Sequence, residues 1–264
     1  MRRVKPIRSA LFVPGNREDR IQKAPRFGAD ALILDLEDAV ALPDKERSRG
    51  TVRRMVEELG DQGQTIFVRV NDFETGLTWA DLDAVVCKEL YCVMLPKVTG
   101  PEDVKRCDTI IEFLERKHDI EPGTVLIDPV LETAQGMRQA YEVAIASPRV
   151  AHLGGITGKD GDIARAIGFQ WTPEGHEAFY YISKVLLDAR AANIAVWNNS
   201  SRQSAKKSRG FTRKPKAHVP GSSSRDASMR KRFALARQRR PRRPKLPKHL
   251  CACATISRRS RIAW

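Results

Sequence analysis

The chain has 264 residues and a formal net charge of +15, from 47 Lys and Arg against 32 Asp and Glu. From Asn198 onward lie 21 of the basic residues and one acid, Asp226, so residues 1–197 hold 26 basic and 31 acidic residues. That balance excludes a body wrapped in basic surface, and 197 residues suffice to bury one sizeable core.

The start, MRRVKPIRSALFVPGN, has charge followed by an apolar stretch, as a signal peptide does. The stretch before Pro14 is too short for one, and no later run approaches the length of a membrane span, so no membrane partner is expected. Beyond it, short β-rich apolar runs recur at Ser9–Gly15, Ala31–Glu37, Thr65–Asn71, Tyr91–Lys97, Val125–Glu132 and Val150–Thr157. Amphipathic, charge-rich stretches separate them, the pattern of βα units around a parallel sheet, at the pace of a TIM-type (β/α)8 barrel. PDKERSRGTVRRMVEELG and PEDVKRCDTIIEFLERK each open with Pro followed by an acid, which favours a helix start by ring geometry and by the helix dipole. Ile194–Trp197 reads as a seventh strand and nothing later as an eighth, so the barrel is expected to be incomplete, with six to seven units. His176 falls on a surface helix whose Phe179, Ile182, Leu186 and Ala189 repeat at helical spacing.

Past Trp197 the sequence turns to Arg, Ser, Pro and Ala without periodicity. The domain reading is therefore a barrel over residues 1–197 and a basic, disordered tail over residues 198–264. The break resembles the product of a shifted reading frame. An alternative function follows from the tail: an impaired barrel fragment that binds nucleic acid or acidic partners non-specifically, since MRKRFALARQRRPRRPK carries nine basic residues and no acid. Cys87, Cys92, Cys107, Cys251 and Cys253 form no CxxC pair and have no ligand-spaced His, so reduced thiols and a cytoplasmic location are expected.

Polar residues gather at the C-terminal ends of the expected strands: Asp35, Glu37 and Asp38; Arg69 and Asn71; Lys97; Asp128 and Glu132; then Asp162. In a barrel those ends share one mouth, and an active site explains so many charges there better than stability does. Glu132 and Asp162, without His or Cys beside them, suit a hard oxygen-preferring ion such as Mg²⁺. Arg69 offers a fork of donors for a carboxylate or a developing oxyanion. A structural ion pair with Asp35, Glu37 or Asp38 is the alternative for Arg69, as a helix N-terminal acid is for Glu132. His152 reads as a hydrogen-bonded core histidine rather than a base. The glycines of GGITGKDG read as hinges beside the site and fit no dinucleotide or phosphate loop.

Together RSALFVPGNREDRIQKAPRFGADALILDLEDAV, VRVND, VMLPKV, PVLETAQG and GGITGKDGDIARAIG resemble the HpcH/HpaI aldolase and citrate lyase beta subunit-like family, from about Arg8 to Ala192. The resemblance implies a TIM-type barrel, a homo-oligomer (a trimer in relatives), Mg²⁺, and a carbon–carbon lyase or aldolase acting on a hydroxy-acyl-CoA or hydroxy-oxo acid. By the same resemblance Glu132 and Asp162 are metal ligands, Asp162 being preferred to the neighbouring Asp160. Arg69 and Glu132 are then the catalytic and substrate-binding residues, Glu37 and Asp38 order the metal's waters, and Arg17 and Lys23 are candidates for the phosphates of a CoA thioester. Citryl-CoA, malyl-CoA and citramalyl-CoA remain open as substrates.

Overall fold

The computed structural model describes residues 4–155, 161–170, 172 and 175–198. Seven strands alternate with helices: β1 (Ala10–Pro14), β2 (Ala31–Asp35), β3 (Ile66–Arg69), β4 (Cys92–Leu95), β5 (Leu126–Pro129), β6 (His152–Gly155) and β7 (Ala195–Asn198). The helices are α1 (Glu18–Lys23), α2 (Lys45–Asp61), α3 (Thr78–Val85), α4 (Pro101–Lys117), α5 (Ala134–Arg138), α6 (Ala140–Ala144), α7 (Asp162–Ile167) and α8 (Phe179–Ala191). Strands β1 to β5 form a parallel sheet in chain order, and β6 pairs in parallel with β7. Parallel bridges from Ile127 to Val150 and from Val130 to Gly154 carry the order across from β5 to β6. This is the parallel sheet with alternating helices of a TIM-type barrel.

Side chains on a strand point alternately to opposite faces, and the sequence uses both. Leu32, Leu34, Ile66, Val68, Val93, Leu95 and Ile127 turn outward to a core shared with Val52, Met55 and Val56 of α2 and Val104, Ile111 and Leu114 of α4. Ala31, Ile33, Phe67, Cys92, Met94, Leu126 and Val130 turn inward and fill a second, smaller core. Each fully buried aliphatic side chain stabilises the fold by roughly 1.5–3 kcal/mol, so strands buried on both faces need the near-continuous apolar runs seen in the sequence.

The inner core has a floor. Phe67, Tyr91 and His152 meet with ring centroids 5.3–5.8 Å apart, and the Tyr91 hydroxyl lies 3.1 Å from His152 Nε2. Lys5 lies across this end, donating from its main-chain N–H to Tyr91 Oη at 2.8 Å and from Nζ to Thr65 Oγ1 at 3.0 Å. Near the start of β5, Arg149 clamps Glu115 of α4 through Nη1 and Nη2 at 2.9 and 2.7 Å and reaches Asp108 through Nε at 2.5 Å. Glu115 also accepts from the main-chain N–H groups of Gly123 and Val125, so the carboxylate is buried yet well supplied with donors.

Helix α4 begins at the expected Pro, whereas α2 begins two residues after Pro43, which lies in a preceding 3-10 turn at Leu42–Asp44. The expected stripe of α8 needs correction: Phe179 and Leu186 are exposed, and the buried face runs through Ala178, Val185 and Ala189. Val185 packs at Gly155 of β6, which rotates the helix away from the stripe drawn from side-chain size alone. His176 is exposed, on a 3-10 turn at His176–Ala178 ahead of α8. Cys87, Cys92 and Cys107 are buried, and burial pushes the Cys107 thiol up to about 12. Among the described residues no helix is long and apolar enough to cross a membrane. Asp160, Thr157 and the tail beyond Asn198, with Cys251 and Cys253, lie outside the described residues.

Candidate active site

Register places the first pair. Asp35 and Arg69 end neighbouring strands opposite one another, so their side chains emerge together on the inner face. Arg69 grips Asp35 with Nε at 2.8 Å and Nη2 at 2.7 Å, while Nη1 lies 2.8 Å from Glu37 and 3.5 Å from Asp38. These are the ion-pair partners named as the alternative for Arg69. Burial pulls its guanidinium down, but the hydrogen bond to Asp35 and the charges of Asp35, Glu37 and Asp38 outweigh that and hold it above the ordinary arginine value. Its side chain is only 10% exposed and stacks at 5.3 Å over the Phe12 ring.

The loop after β2 carries the acids. Asp35 accepts from the N–H of Glu37 and of Ala39, which curls Leu36–Ala39 over the mouth. Lys45, at the start of α2, holds that curl from behind, donating to the carbonyls of Leu36 and Glu37 and to Asn71 Oδ1. Asn71 is fixed in turn by Asp81, a fully buried carboxylate that also receives Arg49. Glu37 is buried, and that burial raises its carboxyl despite Arg69 and Lys97. Asp38 is more than half exposed.

The loops after β4 and β5 are joined to each other. Lys97 donates its main-chain N–H to Glu132 Oε1 at 2.9 Å and its Nζ to Glu37 Oε1 at 2.7 Å, with Asp72 at 3.6 Å and Asp38 at 4.0 Å. Thr133 caps α5 by accepting from Gly136 N–H, and its hydroxyl donates to the Val98 carbonyl at 2.8 Å. Gly136 lies so close beneath that carbonyl that a Cβ there would come within 2.0 Å of the oxygen. Three residues of the run PVLETAQG thus have separate tasks: Glu132 meets the Lys97 N–H, Thr133 caps, and Gly136 permits the close approach.

Glu132 is almost wholly buried, and its carboxyl is pushed up to about 7, first by burial and then by the charge of Glu37, with Asp162 adding to it. Asp162, the first residue of α7, acts electrostatically on Glu132 and on Lys97, and is itself held by Arg165 at 2.5 Å. The structure therefore brings together Glu37, Asp38 and Arg69, with Glu132 joined to them through Lys97, while Asp162 acts on Glu132 and Lys97 by its charge alone. Arg17 turns aside to Asp19 at 3.1 Å on the exposed start of α1, and Lys23 is exposed at the end of that helix. His152 is buried in the floor, where burial lowers it to about 4.

The donor set is one of oxygen ligands. Among the described residues no group of three or more His, Cys, Asp or Glu is arranged as a cage for a metal. Two carboxylates with room for waters is nevertheless what Mg²⁺ takes, and a buried carboxyl raised by its acidic neighbours is relieved by a cation placed among them. Sequence reasoning left Lys97 and Asp72 without roles and passed over Lys45. Lys97 stood out as a strand-end charge, but its grip on two loops depends on a backbone angle that residue type does not disclose.

The match to the family described as HpcH/HpaI aldolase/citrate lyase covers residues 8–218. Citrate lyase subunit beta of Leuconostoc mesenteroides subsp. cremoris is 31% identical over 191 residues, 72% of this chain and 62% of that protein. A protein named (3S)-malyl-CoA thioesterase from Cereibacter sphaeroides is 32% identical over 192 residues, with the same shares of 72% and 62%. The chain thus spans about 62% of the length of these curated relatives. Among solved structures, the protein CitE from Mycobacterium tuberculosis in complex with magnesium and pyruvate superposes with a TM-score of 0.58 at 25% identity, covering 74% of each chain. The same protein in complex with magnesium, acetoacetate and coenzyme A gives 0.54 at 25% identity, covering 73% of this chain and 65% of that one. With a parallel barrel-type sheet, acids and an arginine at its strand ends, and a family match across most of its length, the chain belongs to the HpcH/HpaI aldolase/citrate lyase family.

Proposed function

We propose that the chain makes or breaks a carbon–carbon bond in a hydroxy-acyl-CoA thioester or a related hydroxy-oxo acid, using Mg²⁺ held by Glu132 and Asp162. The observation that carries this reading is the buried Glu132 carboxylate, held by the Lys97 N–H at 2.9 Å while the same residue's ammonium holds Glu37, the partner of Arg69, at 2.7 Å. Thr133 already caps α5 and Glu132 is buried rather than solvated, so the helix N-terminal reading of Glu132 explains less. The relatives' names, citrate lyase and malyl-CoA thioesterase, support an acyl-CoA or oxo-acid substrate class.

Mg²⁺, when bound, supplies a Lewis acid and a template for the oxygens of the oxo-acid end. The protein's own groups do the rest. Arg69, braced by Asp35, keeps its remaining N–H donors for the carboxylate or for the oxygen on which charge grows. Glu37, held between Arg69 and Lys97, orders water at the mouth with Asp38. In cleavage the β-hydroxyl loses its proton, its C–O bond becomes a carbonyl as the carbon–carbon bond breaks, and the thioester fragment leaves as an enolate that takes a proton on carbon. Arg17 and Lys23 are offered for the phosphates of the CoA arm.

The test incubates the full chain with citryl-CoA, malyl-CoA and citramalyl-CoA, with Mg²⁺ or with chelator, and measures oxo acid, acyl-CoA and free CoA separately. We expect Mg²⁺-dependent release of oxo acid, lowered by about 100-fold or more in Glu132→Gln and in Asp162→Asn. Free CoA without carbon–carbon cleavage would make the chain a hydrolase instead, and no turnover of any of the three would remove the proposal.

A further inference from the structure

The cluster at the mouth contains one backbone anomaly. Lys97 has φ of 51°, in the left-handed region, and the only other non-glycine residues there among those described are Asp119 and Asn193. Asp and Asn tolerate that region through their short polar side chains, whereas a lysine gains nothing from it locally. Surrounding contacts hold it there. Pro96 precedes it, the Val98 carbonyl is bonded by Thr133 and closely approached by Gly136, and the Thr99 carbonyl accepts from Gln139 Nε2 at 3.1 Å. Strain kept by several independent contacts at a site is usually part of how the site works.

What the turn achieves is visible in the hydrogen bonds. With this φ, the main-chain N–H of Lys97 meets Glu132 Oε1 at 2.9 Å while its ammonium meets Glu37 Oε1 at 2.7 Å. One residue thereby grips an acid from each of two loops with two different parts of itself. Rotation about φ sets where the following Val98 carbonyl, bonded to Thr133, and with it the loop that carries Glu132, lies relative to the Lys97 N–H, whereas the ammonium could be replaced by another cation. We infer that Lys97 is a positioning residue whose left-handed turn brings the loop of Glu132, tied to Val98 through Thr133, up to its main-chain N–H and so fixes the direction of the proposed metal-binding carboxylate, its ammonium separately tethering Glu37. This rests on the reading of Glu132 and Asp162 as ligands of a divalent cation.

The two grips can be separated by substitution in the full chain, with Mn²⁺ alone as probe. Lys97→Gly is at ease at positive φ and keeps the N–H but loses the ammonium, whereas Lys97→Val resists positive φ and loses the aim. Calorimetric titration should give Mn²⁺ affinity at least equal to wild type in Lys97→Gly, since a nearby positive charge is gone, and about tenfold weaker in Lys97→Val. A metal-free readout covers the case in which Lys97→Val does not fold. Glu132→Ala should speed hydrogen exchange of the residue 97 amide by about tenfold, leaving the β4 amides unchanged. Equal Mn²⁺ affinity in the two Lys97 variants, or unchanged exchange in Glu132→Ala, overturns the inference. If exchange responds as expected while the wild-type chain binds no Mn²⁺, the metal reading fails and takes the positioning role with it.

Discussion

At the scale of single residues, the chemistry of the mouth comes from charges that no single partner neutralises. Lys97 draws Glu37, Asp38 and Asp72, Arg69 lies against Glu37 and Asp38, Glu37 and Asp162 act on Glu132, and the burial of Glu37 and Glu132 amplifies the interaction between those two. The floor residue His152 works the other way. It is neutral when folded, with its pKa lowered to about 4 from 6.5 by burial. Between those values the unfolded chain binds a proton that the folded chain refuses. The resulting stability is therefore complete above pH 6.5 and lost as pH falls through 4, a loss of roughly 3 kcal/mol. His152→Phe, which keeps a ring against Phe67 and Tyr91, should flatten urea-derived stability across that window, and an unchanged slope would refute the assignment. The sequence showed which charges end strands and that His152 sits within one, because strand position follows from apolar runs. It did not show that Arg69 is braced on three sides, since bonding partners depend on register and loop curl.

At the scale of elements, strand and helix placement follows from the alternation of two-sided apolar runs with amphipathic stretches, which is why the expected runs contain all the observed strands from β1 to β6. The misread stripe of α8 shows the limit: four apolar residues at helical spacing do not reveal which arc faces a flat glycine on β6. Joined loops carry the strictest demands. Gly136→Ala would drive a Cβ to 2.0 Å from the Val98 carbonyl, so the loops after β4 and β5 must part. Expected is a loss of about 2 kcal/mol or more by urea melting, together with weakened Mn²⁺ binding. Arg149→Met at the other end should behave differently. It strands the buried Glu115 carboxylate, costing about 3–5 kcal/mol, with Mn²⁺ affinity unchanged in whatever fraction remains folded. Equal effects of the two changes on metal binding would show that the ends are not separable.

At the scale of the whole molecule, charge is divided by segment. A chain ending at Asn198 keeps 26 basic and 31 acidic residues, so its net charge is about −5 where the full chain has +15. Binding to duplex DNA or heparin that weakens steeply with salt should be found in the full chain and lost from the shortened one. Equal binding by both would place the affinity in the body. The fold, by contrast, separates the molecule by depth. The floor of Phe67, Tyr91 and His152, crossed by Lys5, seals the end of the inner core opposite the acids. A packed floor bars passage through that end and leaves the acid-lined end as the side from which a ligand reaches Arg69 and Glu132. Under the proposed cleavage, two fragments formed at the acid-lined end could not leave through that floor, so the one seated deeper would wait for the one nearer the rim. Release would then be ordered, and the deeper fragment, added back alone, should compete directly with substrate, while the outer fragment should inhibit in a mixed pattern.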